Sequence, residues 1–286
     1  GRRGADRARR PDLARQRRLE CFPEKCEAVF RKEARQDKDL GCLSDSAQNG
    51  NTLVMATARF DWPDAETLQQ QLAARIADRL RQRIEARGEA WLAVSGGRTP
   101  LGLFQTLAET ELDWSRVTVT LVDERWVEET SLRSNAALVR RHLIAGRAAM
   151  ARFVPLHTPG VAIDAGRDIA EARLQGMPTK LAVAILGMGD DGHTASWFPG
   201  GDRLAEALDP AAPRLIEAMR APAASEPRLT LTLNALMSAT WIALQIEGAA
   251  KLDVLRRALD DGPVETMPVR AMLRQPSVTL EIHWAP

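Results

Sequence analysis

The sequence predicts an α/β fold in which a doubly wound, mostly parallel sheet carries helices on both faces within a single domain. Three observations lead there. From about residue 52, short apolar runs alternate with stretches that have helical periodicity. Leu181 to Leu186 (LAVAIL) is continuously apolar, as a strand buried on both faces must be. Glycine-rich turns follow the strand runs, at the sheet edge where such folds bind ligands.

Taken in order, residues 66–87 place Leu68, Leu72, Ile76, Leu80 and Ile84 at steps of four, an amphipathic helix ended by Gly88. Trp91 to Val94 is a short strand that stops at Ser95-Gly96-Gly97. A helix follows Pro100, since proline is preorganised for a first turn. Val117 to Val122 (VTVTLV) reads as a strand, 134–144 as a helix, Phe153 to Leu156 as a short strand and 164–175 as a helix. Leu181–Leu186, Leu229–Leu233, Thr240–Ile246 and Val278–His283 supply the remaining strands, with a helix at 248–259 between the last two.

Residues 1–51 stand apart and are expected to be a basic, disordered extension, or sequence upstream of a start at Met55. The first fifty hold 13 Lys or Arg against 9 Asp or Glu, and all three cysteines, Cys21, Cys26 and Cys42. Nine acidic residues argue against a transit peptide, and the missing apolar h-region excludes a signal peptide. Cys21 and Cys26 have no second pair or histidine nearby to complete a zinc site. The domain proper, residues 52–286, contains no cysteine, so neither a disulfide nor a thiolate nucleophile serves it.

Over the whole chain of 286 residues, 39 basic side chains balance 38 acidic ones. That balance gives no electrostatic reason to expect nucleic acid or an anionic membrane as partner. No apolar run approaches the roughly 18 residues of a membrane helix. A cytoplasmic monomer or weak homo-oligomer acting on a small molecule is expected.

Three turns carry candidate chemistry. Ser95-Gly96-Gly97-Arg98-Thr99-Pro100 joins a strand to a helix start, where backbone N–H groups and the helix dipole favour an anion. The turn is neither a P-loop nor a dinucleotide fingerprint, so a phosphate on a small molecule suits it better than a nucleotide. Asp123-Glu124-Arg125-Trp126 follows the next strand. Arg125 is placed for a bidentate grip on phosphate, with Asp123 expected to orient it. Gly187-Met188-Gly189-Asp190-Asp191-Gly192-His193 follows the LAVAIL strand, with His193 expected at a helix opening. A histidine beside two aspartates at a strand end is a candidate general base, its tautomer fixed by a carboxylate. No second His or Cys at ligand spacing accompanies it, so no metal is expected.

The stretches GMGDDGHTASWFP, SGGRTP and VDERW together resemble those of the 6-phosphogluconolactonase family. Ser134-Asn135, Pro227-Arg228-Leu229-Thr230-Leu231-Thr232, Gly248-Ala249-Ala250-Lys251 and Pro268-Val269-Arg270 extend the resemblance, which covers about residues 52–286. It implies a modified Rossmann-like catalytic domain of the glucosamine/galactosamine-6-phosphate isomerase-like superfamily. It also implies hydrolysis of 6-phospho-D-glucono-1,5-lactone to 6-phosphogluconate, in the oxidative pentose phosphate pathway, without cofactor or metal. By similarity, His193 activates water and Asp191 assists it. Ser95, Gly96, Gly97, Arg98 and Thr99 hold the phosphate, and Arg125, Arg228 and Lys251 add charge. The glycine-loop N–H groups are candidate oxyanion donors. Trp197 departs from the family, which often has Leu there, and Arg98 is one of several residues found at its position.

Two rival readings remain at this level. An amino-sugar phosphate isomerase/deaminase shares the fold and the glycine loop. It follows the glycine-His turn with a carboxylate-bearing stretch, where this chain has His-Thr-Ala-Ser-Trp-Phe-Pro. A non-catalytic sugar-phosphate-binding regulator needs a DNA-binding domain, and residues 1–50 are too poor in apolar periodicity for one of usual size.

Overall fold

Strands buried on both faces form the centre of the molecule, and their sequence shows why. Ala90–Val94 (β2), Val117–Leu121 (β3) and Val183–Leu186 (β6) are buried at every position, which only a sheet covered by helices on both faces permits. This computed structural model describes residues 57–176 and 181–286. The extension expected at 1–51, with Cys21, Cys26 and Cys42, lies outside the described residues.

Among the described residues seven strands make one all-parallel sheet. Besides β2, β3 and β6 these are Thr57–Asp61 (β1), Arg152–Val154 (β5), Trp241–Glu247 (β9) and Leu280–Ala285 (β10). Their order is β1-β10-β9-β6-β2-β3-β5. From β2 the chain steps to β3 and β5 on one side, whereas β6 and β9 lie on the other. The crevice between the carboxyl ends of β2 and β6 is therefore the topological switch point.

Helix Ala65–Arg87 (α1) keeps Leu68, Leu72, Ile76 and Leu80 fully buried, as the four-residue spacing requires. Asp64 caps its start by accepting from Thr67 N at 2.7 Å, and Gly88 ends it in the left-handed region at φ 82°. Leu101–Glu109 (α2), Asn135–His142 (α3), Ile163–Gln175 (α4) and Ala249–Leu259 (α7) match the expected helices within two residues at each end. Among the described residues the other α-helices are short: Leu204–Leu208 (α5), Leu233–Met237 (α6) and Val269–Leu273 (α8).

Two expectations are corrected. The run at 229–233 does not join the parallel sheet. Arg228–Leu231 (β8) pairs antiparallel with Asp123–Arg125 (β4) and with Ile216–Met219 (β7), in a separate three-stranded sheet. His193 also does not open a helix. Ala195 takes φ 51°, Trp197 N donates to Thr194 O at 3.0 Å, and an isolated bridge pairs Thr194 with Trp197. A tight turn results because the residues beyond His193 are tied to the second sheet. Ser196 N donates to Thr230 Oγ1 at 3.2 Å, and the buried Trp197 indole donates to Leu231 O at 2.8 Å. Trp197, the departure noted above, thus anchors the turn.

His283 is buried between Trp62, whose indole donates to its Nδ1 at 3.2 Å, and Glu281, 3.2 Å from its Nε2. Burial is the largest influence and holds this imidazole below its usual pKa. It is a structural histidine, with both ring nitrogens engaged.

Among the described residues no helix is long and apolar enough to cross a membrane. None of their His, Cys, Asp and Glu side chains forms a group of three or more able to hold a metal ion.

Candidate active site

Parallel strands that stop side by side leave their following loops side by side, and here those loops wall one cavity of about 370 Å³. That lies within the usual range for small-molecule sites. Ser95, Gly96, Gly97, Arg98 and Thr99 come from the loop after β2, and Gly187, Met188, Gly189 and His193 from the loop after β6. Asp123 and Arg125 enter from β4, Arg228 from β8 and Lys251 from α7. Every residue expected to bind phosphate thus faces the same cavity as His193. Asp191 stands behind the imidazole instead of lining the wall.

The β2 loop is shaped by what it packs against. A side chain on Gly96 would meet Asn135 Oδ1 at 1.9 Å, and Gly97 takes φ 98°, which glycine tolerates best. Among the described residues none accepts a hydrogen bond from the N–H of Gly96, Gly97 or Arg98. These donors sit just before α2, whose dipole adds to their attraction for an anion.

Asn135 is a residue that the sequence reading quoted but gave no role. Its Oδ1 accepts from Arg125 Nη1 at 3.0 Å and its Nδ2 donates to Asp123 O at 2.9 Å. Arg125 Nη1 also donates to Arg133 O at 2.7 Å. These contacts orient the guanidinium. The expected role of Asp123 is corrected, because its carboxylate is taken by the Ser196 hydroxyl at 2.5 Å.

Arg125 and Arg228 face each other directly across the β4–β8 pair. Like charges in that register repel, and Glu226 stands between them. Its Oε1 lies 3.9 Å from Arg125 Nε and 3.7 Å from Arg228 Nη2, and the carboxylate also pairs with Arg133. Burial, the largest influence on Arg228, lowers its pKa, although arginine stays charged.

Glu124 lies beneath this cluster. It accepts from Arg125 N, Asn135 N, Ala136 N and the Ser134 hydroxyl, between 2.7 and 3.2 Å, joining β4 to the start of α3. Burial pushes its carboxyl up to about 7, with the three N–H groups opposing and the Asp123 charge adding.

At the other end, His193 Nδ1 sits 2.6 Å from Asp191 Oδ1, which also accepts from His193 N at 3.1 Å. Burial, the largest influence on Asp191, raises its pKa. The bond to His193, its charge and its backbone N–H together outweigh that and hold the group below its usual value. The carboxylate fixes a proton on Nδ1 and leaves Nε2 as the acceptor. The Phe198 ring packs on the imidazole with centroids 4.4 Å apart. Gly189 N donates to His193 O at 2.8 Å, which removes it from the candidate oxyanion donors. Lys251 lines the cavity, with its ammonium 2.6 Å from the exposed Asp190 carboxylate.

The family described as glucosamine-6-phosphate isomerases/6-phosphogluconolactonase matches residues 63–284. The chain belongs to that family. It is 50% identical over 227 residues to a 6-phosphogluconolactonase of Rhizobium meliloti, covering 79% of this chain and 97% of the relative. It is 46% identical over 225 residues to one of Pseudomonas aeruginosa, covering 79% of this chain and 93% of that relative. A crystal structure of a 6-phosphogluconolactonase from Shewanella baltica superposes with a TM-score of 0.78 at 41% identity. That match covers 80% of this chain and 98% of the other. These relatives place the chain on the 6-phosphogluconolactonase side of the family.

Proposed function

We propose that the chain hydrolyses 6-phospho-D-glucono-1,5-lactone to 6-phosphogluconate, with His193 as the general base and Asp191 as its orienting partner. Its similarity to 6-phosphogluconolactonases, up to 50% identical, makes it an enzyme of the lactone-hydrolase class; the substrate and the mechanism are proposed from the site. The observation that carries them is the cavity itself, which holds an oriented imidazole at one wall and an anion site at another.

In this reading Ser95, the N–H groups of Gly96, Gly97 and Arg98, Thr99, Arg125, Arg228 and Lys251 bind the phosphate. Lys251 exchanges Asp190 for it. Phosphate contacts remote from the carbonyl aid catalysis by fixing the reacting carbon near the base. His193 Nε2 takes a proton from water as the water oxygen bonds to the lactone carbonyl carbon. Asp191 stabilises the imidazolium so formed. The tetrahedral intermediate collapses with cleavage of the bond from that carbon to the ring oxygen, which takes the proton back from His193. No step calls on a cofactor. On this reading the chain serves the oxidative pentose phosphate pathway, in the cytoplasm.

The test is substrate discrimination. Proton release from freshly made 6-phosphogluconolactone, corrected for spontaneous opening, is compared with that from gluconolactone and with turnover of glucosamine 6-phosphate. A strong preference for the phosphorylated lactone is expected. Turnover of the amino sugar instead would support the isomerase/deaminase reading.

A further inference from the structure

We propose that Gly189 is a positioning residue whose missing side chain forms the slot that holds the His193 imidazole. The inference rests on the reading of His193 as the base.

A methyl group at Gly189 would lie 2.2 Å from both Cε1 and Nδ1 of His193, and 2.8 Å from Asp191 Oδ1. Real side-chain carbons do not approach other atoms so closely. The obstacle is a ring, not the flexible end of a long chain. That ring is constrained from two further directions. Nδ1 is tied to Asp191 at 2.6 Å, and Phe198, nearly buried, packs on the imidazole at 4.4 Å between centroids. The Gly189 N–H bond to His193 O, at 2.8 Å, fixes the distance between the backbone that forms the slot and the residue that fills it.

Backbone conformation gives no competing reason for glycine here. Gly97, Gly192, Gly200 and Gly248 have positive φ, and Gly189 does not. An alanine at 189 is therefore unstrained in itself and clashes with the side chains of the base and its partner. The imidazole must leave the slot to relieve that clash, breaking its bond to Asp191 and turning Nε2 away from the substrate carbonyl. The phosphate groove, built from other elements, is untouched.

The experiment is a cycle of four proteins: wild type, Gly189→Ala, His193→Ala and the double variant. Steady-state hydrolysis of 6-phosphogluconolactone and thermal melting are measured for each. Displacing the base by about an ångström is expected to lower kcat of Gly189→Ala about a hundred-fold, with KM changed less than about two-fold. Overpacking is expected to lower its Tm by roughly 3–10 °C. In the His193→Ala background, where the ring is gone, the same substitution is expected to cost only about a degree, since the coupled pair is no longer in contact.

A Gly189→Ala enzyme that keeps the wild-type kcat overturns the proposal. So does a melting penalty that persists in full without the imidazole, because the clash would then be with something else. Failure of the hydrolase reading has a separate signature. Wild-type protein would leave the lactone at its spontaneous rate, while the melting cycle would still report whether the slot exists.

Discussion

Replacing Glu124 by Gln isolates one component of the pH dependence of stability. The carboxyl is pushed from 4.5 up to about 7, chiefly by burial, so between those values the folded chain binds a proton that the unfolded chain has lost. Stability then falls as pH rises, because the unfolded state binds fewer protons there. The contribution is fully present below pH 4.5 and is lost as pH passes about 7. Two and a half units at 1.36 kcal/mol each set its size on the order of 3 kcal/mol. Glutamine cannot titrate, so the difference in unfolding free energy between wild type and Glu124→Gln carries this component alone. Urea unfolding of both proteins from pH 4.5 to 8 is the assay. Wild type is expected to lose about 3 kcal/mol relative to the variant across that range, or about 6–12 °C in Tm for a domain of this size. A difference that does not vary with pH would mean that burial does not raise the Glu124 carboxyl in the fold. A difference of opposite slope would show that the hydrogen bonds from Arg125, Asn135 and Ala136 outweigh burial.

Other expectations follow from single contacts. Arg125→Ala is expected to raise KM for the phosphorylated lactone about ten-fold or more, since charge-assisted bonds to phosphate contribute roughly 1.5–3 kcal/mol, and to leave unphosphorylated gluconolactone turnover unaltered. Equal preference for the two lactones in wild type and variant would contradict it. Asp191→Asn is expected to lower kcat about a hundred-fold with little change in KM, because the imidazole loses its orienting anion; steady-state kinetics decide this, and an unchanged kcat would remove Asp191 from the mechanism. Trp197→Phe removes the buried indole donor to Leu231 O. It is expected to cost about 2 kcal/mol, a drop of about 4–8 °C in Tm by calorimetry, with kcat little altered below that temperature.

Much of this architecture was legible because parallel strands announce themselves. LAVAIL is apolar throughout, and VTVTLV, rich in β-branched residues with the Thr120 hydroxyl donating to Val154 O, is buried like it, since helices cover both sheet faces; the four-residue steps of α1 are those of a helix with one buried stripe. What escaped is what lacks such a signature. TARFD at β1 is an edge strand whose one neighbour among the described residues is β10, and it mixes Arg and Asp with apolar residues. IEAM at β7 is four residues long, and its pairing with β8 depends on a partner distant in sequence. The helix expected at His193 failed for a tertiary reason, because Ser196 and Trp197 bond to β8.

The site divides in the same way. Glycine loops, histidine and arginines were visible as residue types at strand ends. Asn135, Glu124, Glu226 and Phe198 were not, because their roles are contacts. An asparagine that fills the space beside Gly96 looks like any other helix-start residue until the fold sets the two together. A Cβ-sized gap at Gly189 is likewise invisible in a glycine-rich turn.

The most direct test of the central claim is the rate of 6-phosphogluconolactone hydrolysis by His193→Ala beside wild type, each corrected for spontaneous opening. Clear acceleration by wild type is expected, with near-complete loss of it in the variant and phosphate-sugar binding retained. Unchanged turnover in the variant would contradict it.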